Sequence, residues 1–235
     1  MRKLAFACLL AAASAAAVAQ RVQRTETGIV VTPAQGPAVR LQAYGDGIIR
    51  VTETPGATFE MPASLMVVAK PVAAFTVSEK PGTVTLTAGR ASADVDRETG
   101  RVSFRDATGK VVLAESGPPA LAPTTDGGQP FLSVRQQFNR GTDEGFYGLG
   151  QHQNGQMNYN GEDVELAQHN MDVAIPFVVS TRNYGLLWDN NSITRFGRPD
   201  GYPYAGGDGD GLAVNGGRGW TATYTANGRT IAARQ

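Results

Sequence analysis

The stretch Thr83-Val84-Thr85-Leu86-Thr87-Ala88 alternates polar and apolar residues, and Ala91-Ser92-Ala93-Asp94-Val95-Asp96 repeats the alternation. A period of two places neighbouring side chains on opposite faces of a β-strand. Gly89-Arg90 between the two runs predicts a tight hairpin. Turn-forming residues after the second run extend this pattern into an antiparallel meander over residues 77–113.

The rest of the chain favours the same class of structure. Strands are also predicted over residues 28–32, 38–43, 48–54, 131–138, 175–180, 184–189 and 193–196. No window of useful length carries the 3.6-residue apolar stripe of a helix. Two polar stretches, residues 116–130 and 150–172, are predicted to be surface loops, and the second is long enough to be functional. The sequence therefore predicts an all-β fold, an antiparallel β-sandwich.

The first 19 residues have the three parts of a secretory signal peptide: Met1-Arg2-Lys3, an apolar run and the small-residue ending Ala17-Val18-Ala19. The apolar run is shorter than the roughly 20 residues that cross a bilayer. We expect cleavage after Ala19 and export to the periplasm or the extracellular space. The single cysteine, Cys8, lies in this segment, so the mature chain has no disulfide, thiolate zinc site or cysteine nucleophile.

Charge and composition indicate how the mature chain is organised. Removing Arg2 and Lys3 leaves 19 basic against 21 acidic residues, a net charge of −2 without a basic patch. Nucleic acid and membrane surfaces are therefore not expected partners. We predict a sandwich domain over residues 20–198, a Gly/Asp-rich linker over 199–219, and the start of a further β domain over 220–235.

The polar loop over residues 150–172 contains both histidines, His152 and His169, near several carboxylates. These residue types could bind zinc, although no HExxH spacing is present. They could also be solvated loop side chains, or a sugar-facing surface, because hydroxyl groups need paired donors and acceptors. Tyr159, among polar residues, could face such a ligand, whereas Trp188 lies in an apolar run and is predicted to be core.

Two further patterns allow weaker hypotheses. Asp163 and Glu165 could share a strand face as a glycosidase acid and nucleophile, although exposed loop carboxylates are the simpler interpretation. The Gly/Asp-rich residues 206–211 suggest calcium, but Leu212 and Gly219 occupy positions where an EF-hand needs oxygen ligands, which favours a flexible linker. Asn190-Asn191-Ser192 is a glycosylation sequon from which nothing is inferred.

Five ordered blocks resemble the N-terminal domain of family 31 glycoside hydrolases, and the upstream residues 22–138 fit that domain in pattern. The blocks are Phe146-Tyr147-Gly148-Leu149-Gly150-Gln151, Asn158-Tyr159-Asn160-Gly161-Glu162-Asp163-Val164-Glu165-Leu166, His169-Asn170-Met171-Asp172 with Ile175-Pro176-Phe177, Asn183-Tyr184-Gly185-Leu186-Leu187-Trp188-Asp189-Asn190, and Thr194-Arg195-Phe196-Gly197. Gln151-His152-Gln153 replaces the glutamate common in the wider family and resembles the α-xylosidase branch that acts on xyloglucan oligosaccharides. Members of that branch carry a protective-antigen-type β insert. Residues 219–224 resemble the opening strand of that insert.

The resemblance implies a galactose-mutarotase-like sandwich packed on a (β/α)₈ barrel, with retaining hydrolysis by two barrel aspartates and without metal or cofactor. A barrel takes about 250 residues, and none is recognised in this sequence, so no residue here is assigned a catalytic role. In the family, the Asn-x-Asp loop contacts sugar at the rim of the active site. Asn170 and Asp172 are therefore expected to bind substrate, with Gln168 and His169 beside them.

These implications predict a fragment of an α-xylosidase that releases xylose from xyloglucan oligosaccharides. Its expected partners are the oligosaccharide and the catalytic barrel of the full-length enzyme. Two other functions stay open: a stand-alone carbohydrate-binding protein, which the polar loop suggests, and a sugar mutarotase, which fold analogy alone suggests. A mutarotase would need an acid and a base on either side of the anomeric carbon.

Overall fold

The computed structural model describes residues 21–56, 58–59, 63–126, 129–153, 155–168, 172–189, 192, 194–197, 211–216, 220–224 and 230–234. Within these ranges the chain forms nineteen strands and no helix, which confirms the all-β prediction. Among the described residues there is thus no helix long and apolar enough to cross a membrane. The signal-peptide prediction falls on residues outside the described ranges.

Two antiparallel sheets are formed by the first part of the chain. Their strands are β1 (Arg21–Thr25), β2 (Gly28–Thr32), β3 (Ala38–Gly45), β4 (Ile48–Thr54), β5 (Thr76–Lys80), β6 (Thr83–Ala88), β7 (Ala91–Asp96), β8 (Val102–Arg105) and β9 (Val111–Ala114). One sheet has the order β1-β2-β3-β4 and the other β5-β6-β7-β8-β9. Within each sheet every strand therefore pairs with its neighbour in sequence, and the second sheet confirms the meander predicted over residues 77–113. The predicted bounds of β2, β4, β6 and β7 agree with the structure.

The first core lies between these two sheets and is built from aliphatic side chains. Its members are Ile29, Val31, Val39, Leu41, Ala43, Val84, Leu86, Ala88, Ala93, Val95 and Val102. Each is at most 1% exposed. The period-two pattern placed Val84, Leu86 and Ala88 on one face, and that face is the buried one. Burial of each larger side chain stabilises the fold by about 1.5–3 kcal/mol.

The second part of the chain is less local in its pairing. Its strands are β10 (Ala120–Asp126), β11 (Gln129–Asn139), β12 (Phe146–Gln151), β13 (Asp163–Leu166), β14 (Val173–Ser180), β15 (Tyr184–Leu187), β16 (Thr194–Gly197), β17 (Gly211–Gly216), β18 (Trp220–Tyr224) and β19 (Thr230–Arg234). A five-stranded sheet has the order β10-β11-β17-β16-β13, and a three-stranded sheet has the order β12-β14-β15. The last two strands form a hairpin.

The second core joins these two sheets and includes aromatic rings. Its buried members are Leu113, Phe138, Phe146, Leu149, Tyr159, Val164, Leu166, Val178 and Phe196. The rings of Phe146 and Phe196 pack edge to face, with centroids 5.9 Å apart. Phe104 contacts both cores and so couples the two parts of the molecule.

Three stretches that the sequence predicted to be loop or linker contain a strand in the structure. The predicted loop over residues 116–130 contains β10, an edge strand that tolerates Pro123 because its outer side needs no backbone donor. The predicted polar loop over residues 150–172 contains β13, which pairs with β16. The predicted linker over residues 199–219 contains β17, which pairs with both β11 and β16. The short apolar run Leu212-Ala213-Val214 lies within this strand.

Candidate functional site

Next to the site predicted from the sequence, the backbones of β12 and β14 approach so closely that only glycine fits between them. Gly148 and Gly150 have φ values of 124° and 97°, and the pairing register shifts between them. A Cβ on Gly150 would lie 1.8 Å from the carbonyl oxygen of Val173, so only glycine permits this approach. Leu149 between them has φ 64° although it is buried, a strained conformation that the surrounding core maintains.

Gln168 closes the base of the predicted sugar-binding loop. Its side-chain amide nitrogen donates to the carbonyl oxygen of Asp172 at 3.0 Å, and its amide oxygen accepts from the N–H of Ala174 at 3.1 Å. Both polar ends of this exposed side chain therefore bind backbone across the loop. The structure brings Gln168 and Asp172 together, whereas His169 and Asn170 lie outside the described residues. Their assignment to substrate remains a prediction.

His152 and Tyr159, both in the polar stretch over residues 150–172, contact each other. Nε2 of His152 lies 2.9 Å from the carbonyl oxygen of Leu149, which requires this nitrogen to carry the proton. The His152 and Tyr159 rings meet edge to face, with centroids 6.2 Å apart. Tyr159 is only 5% exposed and belongs to the second core. The prediction that it faces a ligand is therefore wrong, because its ring fills the interior while its sequence neighbours remain polar.

The carboxylates of β13 do not form a catalytic pair. Asp163 accepts from Nε of Arg195 at 2.8 Å and pairs with a second nitrogen of the same guanidinium. Glu165 is exposed on the same strand, and its register partner on β16 is also Arg195. This arrangement is a cross-strand ion pair of the kind that stabilises sheets. The described residues also contain no cluster of three metal-ligating side chains.

Glu144 anchors the start of β12 and was not singled out from the sequence. Its side chain is fully buried, and one carboxylate oxygen accepts hydrogen bonds from the hydroxyls of Ser180 and Tyr184. The other oxygen accepts from the N–H of Gly141 and lies 3.3 Å from Arg182. Burial, and then the hydrogen bond to Glu144, raises the pKa of Tyr184. All of these contacts are structural, and they fix one end of the three-stranded sheet.

A second pair of acidic side chains is buried where the two parts of the molecule meet. Glu115 accepts a 2.7 Å hydrogen bond from the N–H of Val102, and Glu53 lies close enough to repel its charge. Burial raises the pKa of Glu53 to about 7, and burial followed by repulsion from Glu53 raises the pKa of Glu115. Because both pKa values are raised in the folded state, this pair makes the stability of the fold depend on pH.

The outer face of the three-stranded sheet is apolar and exposed. We call this surface the outer apolar face, and its members are Tyr147, Val173, Ile175, Phe177, Val179 and Leu187. They are between 38% and 48% exposed, and cross-strand partners such as Tyr147 and Val179, or Phe177 and Leu187, lie side by side. The opposite face of the same sheet packs on the second core. The sequence analysis predicted a strand over residues 175–180 but not that both of its faces are apolar, although the apolar run over residues 173–179 is typical of such a strand.

The end of β15 is tied back to the first part of the chain. Asp189 accepts from Arg50 at 2.7 Å and from the hydroxyl of Ser64 at 2.6 Å. The preceding Trp188 packs against the second core, as the sequence predicted. This ion pair therefore holds the exposed sheet in a fixed position relative to the first two sheets.

Comparison with known proteins agrees with the geometry. Residues 38–196 match the profile of the glycosyl hydrolase 31 N-terminal galactose mutarotase-like domain. An α-xylosidase of Saccharolobus solfataricus is 41% identical over 70 residues, which cover 26% of this chain and 10% of that protein. The crystal structure of a Xanthomonas citri α-xylosidase is 47% identical with a TM-score of 0.73, over 77% of this chain and 20% of that one.

A third relative is an α-xylosidase from a soil metagenome whose crystal structure was solved with xylose. It is 25% identical with a TM-score of 0.69, and the match covers 86% of this chain and 30% of that one. The chain thus spans between a tenth and a third of the length of these relatives. The matched residues include the strands from β3 to β9, the residues at the base of the loop closed by Gln168, and the three-stranded sheet. They confirm a galactose-mutarotase-like β-sandwich, and this chain belongs to the family 31 glycoside hydrolases as their N-terminal domain.

Proposed function

We propose that this chain is the N-terminal, carbohydrate-contacting module of an exported α-xylosidase that acts on xyloglucan oligosaccharides. A separate catalytic (β/α)₈ barrel carries out the hydrolysis. The observation that carries this proposal is the 47% identity to the Xanthomonas citri α-xylosidase over 77% of the chain. Two other α-xylosidases among the relatives support the same substrate class. The signal-peptide pattern of the first 19 residues supports export.

The carboxylates of the described residues support a division of labour between two domains. A retaining glycosidase needs two carboxyl groups about 5 Å apart on either side of the scissile bond. Asp163 is ion-paired with Arg195, and Glu144 is enclosed by hydrogen-bond donors. Glu115 accepts a hydrogen bond from the backbone of Val102 and is repelled by the charge of Glu53. The proposal assigns the acid and the nucleophile to the barrel, as the family resemblance implies.

The loop that follows Gln168 supplies one wall of the sugar site in this proposal. Asn170 and Asp172 offer amide and carboxylate groups that match paired sugar hydroxyls, and His169 stands beside them. Gln168 acts as a positioning residue, because its amide joins the backbone on both sides of the loop base. A loop held at its base presents its polar side chains at lower entropic cost than a free loop.

The test compares the purified chain with a chimera in which it replaces the matched fifth of the Xanthomonas citri α-xylosidase. We expect the chain alone to leave an aryl α-xyloside intact and the chimera to hydrolyse it. Asp172→Ala in the chimera should lower kcat/KM at least about tenfold, the scale of one lost charged hydrogen bond. Asp143→Ala, an exposed control, should not.

Two results would contradict the proposal. Turnover by the chain alone would place the catalytic groups within these 235 residues. A chimera that hydrolyses α-glucosides but not α-xylosides would show that the sugar is a different one.

A stand-alone carbohydrate-binding protein is the second candidate. The exposed rings of Tyr147 and Phe177 favour it, because aromatic faces beside a polar loop can stack on sugars. Calorimetry of the isolated chain with xyloglucan oligosaccharides separates the two functions. Millimolar or tighter binding that Tyr147→Ala weakens would support the binding protein, and no heat of binding would favour the enzyme module.

A further inference from the structure

We propose that His152 is a positioning residue for Asp172 of the proposed sugar-binding loop. It acts through the backbone, by holding a strained turn at the end of β12 against the start of β14. The inference rests on the proposed function, because it adds a residue to the sugar site described there. It gives His152 a role that differs from the three left open by the sequence, which were a zinc ligand, a solvated side chain and a sugar ligand.

The pairing of β12 with β14 is interrupted by a strained turn. Between the paired residues Gly148 and Gly150, β12 has one intervening residue and β14 has three. That one residue, Leu149, combines a φ of 64° with a buried side chain, and bulky residues seldom adopt this conformation. The middle one of the three residues on β14 is Pro176, which has no N–H to donate. A carbonyl group in such a gap needs a hydrogen-bond donor from outside the ladder.

His152 supplies that donor. Its Nε2 atom donates to the carbonyl oxygen of Leu149 over 2.9 Å. The imidazole ring is half-buried and meets the buried ring of Tyr159 edge to face, so its orientation is held from a second side. A donor on an ordered ring stabilises the turn at a lower entropic cost than a donor on a mobile side chain.

The turn is joined to the sugar-binding loop through Gly150. A Cβ on Gly150 would lie 1.8 Å from the carbonyl oxygen of Val173 and 2.9 Å from the nitrogen of Ile175, so the two backbones are in direct contact. Val173 directly follows Asp172 in the chain. A displacement of the turn is therefore transmitted to Asp172, and small displacements of a positioned group are costly in an active site. Gln168 holds the other side of the same loop base.

Two substitutions separate the donor of His152 from its ring. His152→Phe keeps a ring beside Tyr159 and removes the donor, whereas His152→Gln keeps an N–H donor and removes the ring. In the isolated chain, hydrogen–deuterium exchange over residues 148–151 and 173–175 should be at least about fivefold faster in His152→Phe. In His152→Gln it should stay within about twofold of the wild-type rate. Exchange over residues 184–187, on the third strand of the same sheet, should not change in either variant.

In the chimera with the Xanthomonas citri enzyme, a double-mutant cycle with Asp172→Ala tests the path of the effect. His152→Phe alone should lower kcat/KM for an aryl α-xyloside by about threefold to tenfold, and it should have no further effect once Asp172 is replaced. His152→Gln should keep most of the wild-type kcat/KM. Gln153→Ala, at the exposed neighbouring position, is the control and should leave both kcat/KM and exchange unchanged.

Three results would overturn the inference. One is a wild-type rate of exchange in His152→Phe. Another is an equal loss in His152→Phe and His152→Gln, which would make the ring and not the donor the group that matters. The third is a pair of losses from His152→Phe and Asp172→Ala that multiply, because His152 would then act on the sugar independently of Asp172.

The inference and the proposed function can fail separately. A chimera inactive on α-xylosides would refute the proposed substrate, while a donor-specific change of exchange in the isolated chain would still support the strained turn. If His152→Phe does not fold, the wild-type chain provides the test through a long-range ¹H–¹⁵N spectrum at a pH where the imidazole is neutral. The spectrum should show the proton of His152 on Nε2, and a proton on Nδ1 would refute the hydrogen bond to Leu149.

Discussion

The two cores of this molecule differ in how completely they are enclosed. The first core is aliphatic, and the two sheets that contain it are covered on their inner faces by each other. The second core includes the rings of Phe146, Tyr159 and Phe196, lies beside the buried carboxylate of Glu144, and is bounded by a sheet whose other face is exposed and apolar. The inner faces of the first two sheets are therefore both covered, whereas one face of the three-stranded sheet is left exposed and apolar.

The two parts also differ in the range of their pairing. In the first two sheets each strand pairs with the next strand along the chain. In the second part β11 pairs with β17 and β13 pairs with β16, so long segments must close before the sheet forms. Closing such segments costs chain entropy, which local hairpins avoid. The second part therefore depends more on specific tertiary contacts, and substitutions can test that dependence.

The largest effect should follow removal of the buried carboxylate beside the second core. Glu144→Ala removes the shared acceptor of the Ser180 and Tyr184 hydroxyls and leaves Arg182 with only the exposed Asp143 as an ion-pair partner. We expect the free energy of unfolding to fall by about 3–5 kcal/mol, measured by urea denaturation. Asp143→Ala removes an exposed neighbour of the same arginine and should cost less than about 0.5 kcal/mol. Equal losses in the free energy of unfolding for the two variants would contradict the prediction that the buried carboxylate contributes more than the exposed one.

A cavity in the first core should have the next largest effect. Leu86 is fully buried, and Leu86→Ala should lower the free energy of unfolding by about 3 kcal/mol. The same truncation on the outer apolar face, Leu187→Ala, should cost less than about 1 kcal/mol in the isolated chain, because that side chain is 38% exposed. If Leu187→Ala were as costly as Leu86→Ala, the face would already be covered.

The buried acidic pair should give the isolated chain a pH dependence. Burial raises the pKa of Glu53 in the folded state from its ordinary value of 4.5 to about 7. The folded state therefore binds the Glu53 proton more tightly than the unfolded state does. This binding adds to the free energy of unfolding below about pH 4.5, and the contribution is lost as the pH rises through about 7. We expect a loss on the order of 2 kcal/mol between pH 4.5 and 8, measured by denaturation at fixed ionic strength.

Glu53→Gln should remove much of this pH dependence and raise the stability at pH 8. Glu26→Gln changes an exposed carboxylate on the same part of the chain and should leave the pH profile unaltered. A wild-type profile that is flat between pH 4.5 and 8 would contradict the buried-pair argument.

The smallest effect should be local. Gln168→Ala removes the two hydrogen bonds at the base of the loop, each worth about 1 kcal/mol or less at an exposed position. The amide of Ala174 should exchange with solvent several-fold faster, measured by hydrogen–deuterium exchange, while global stability changes little. Gln153→Ala, an exposed glutamine of the same polar region, serves as the control. Unchanged exchange at Ala174 would show that the loop base is held by other contacts.

Much of the fold could be predicted from the sequence, and the failures have physical causes. β6 and β7 alternate over six residues, which is enough for a period of two to stand out. β13 has only Val164 and Leu166 as its apolar side, among charged neighbours, and could not be distinguished from a loop. β10 contains a proline, which the edge of a sheet tolerates but which weakens a strand prediction.

The candidate site was also predicted only in part from the sequence. The polar residues around Gln168 and Asp172 could be identified because their pattern matches a family, and the structure places both at the base of one loop. The sequence could not show that both ends of the Gln168 amide bind backbone atoms, because these hydrogen bonds depend on the distance between the loop and β14. Tyr159 was misassigned because its neighbours in sequence are polar while its neighbours in space are the second core.

The sequence by itself determined that the chain is all-β, which strands form local hairpins and which family it belongs to, because alternation and ordered motifs are properties of neighbouring residues. Only the tertiary structure decided which side of β14 is buried. Residues 173–179 are apolar on both sides, so periodicity cannot distinguish the two faces. Packing on the second core chose the side of Val178 and left the side of Phe177 exposed.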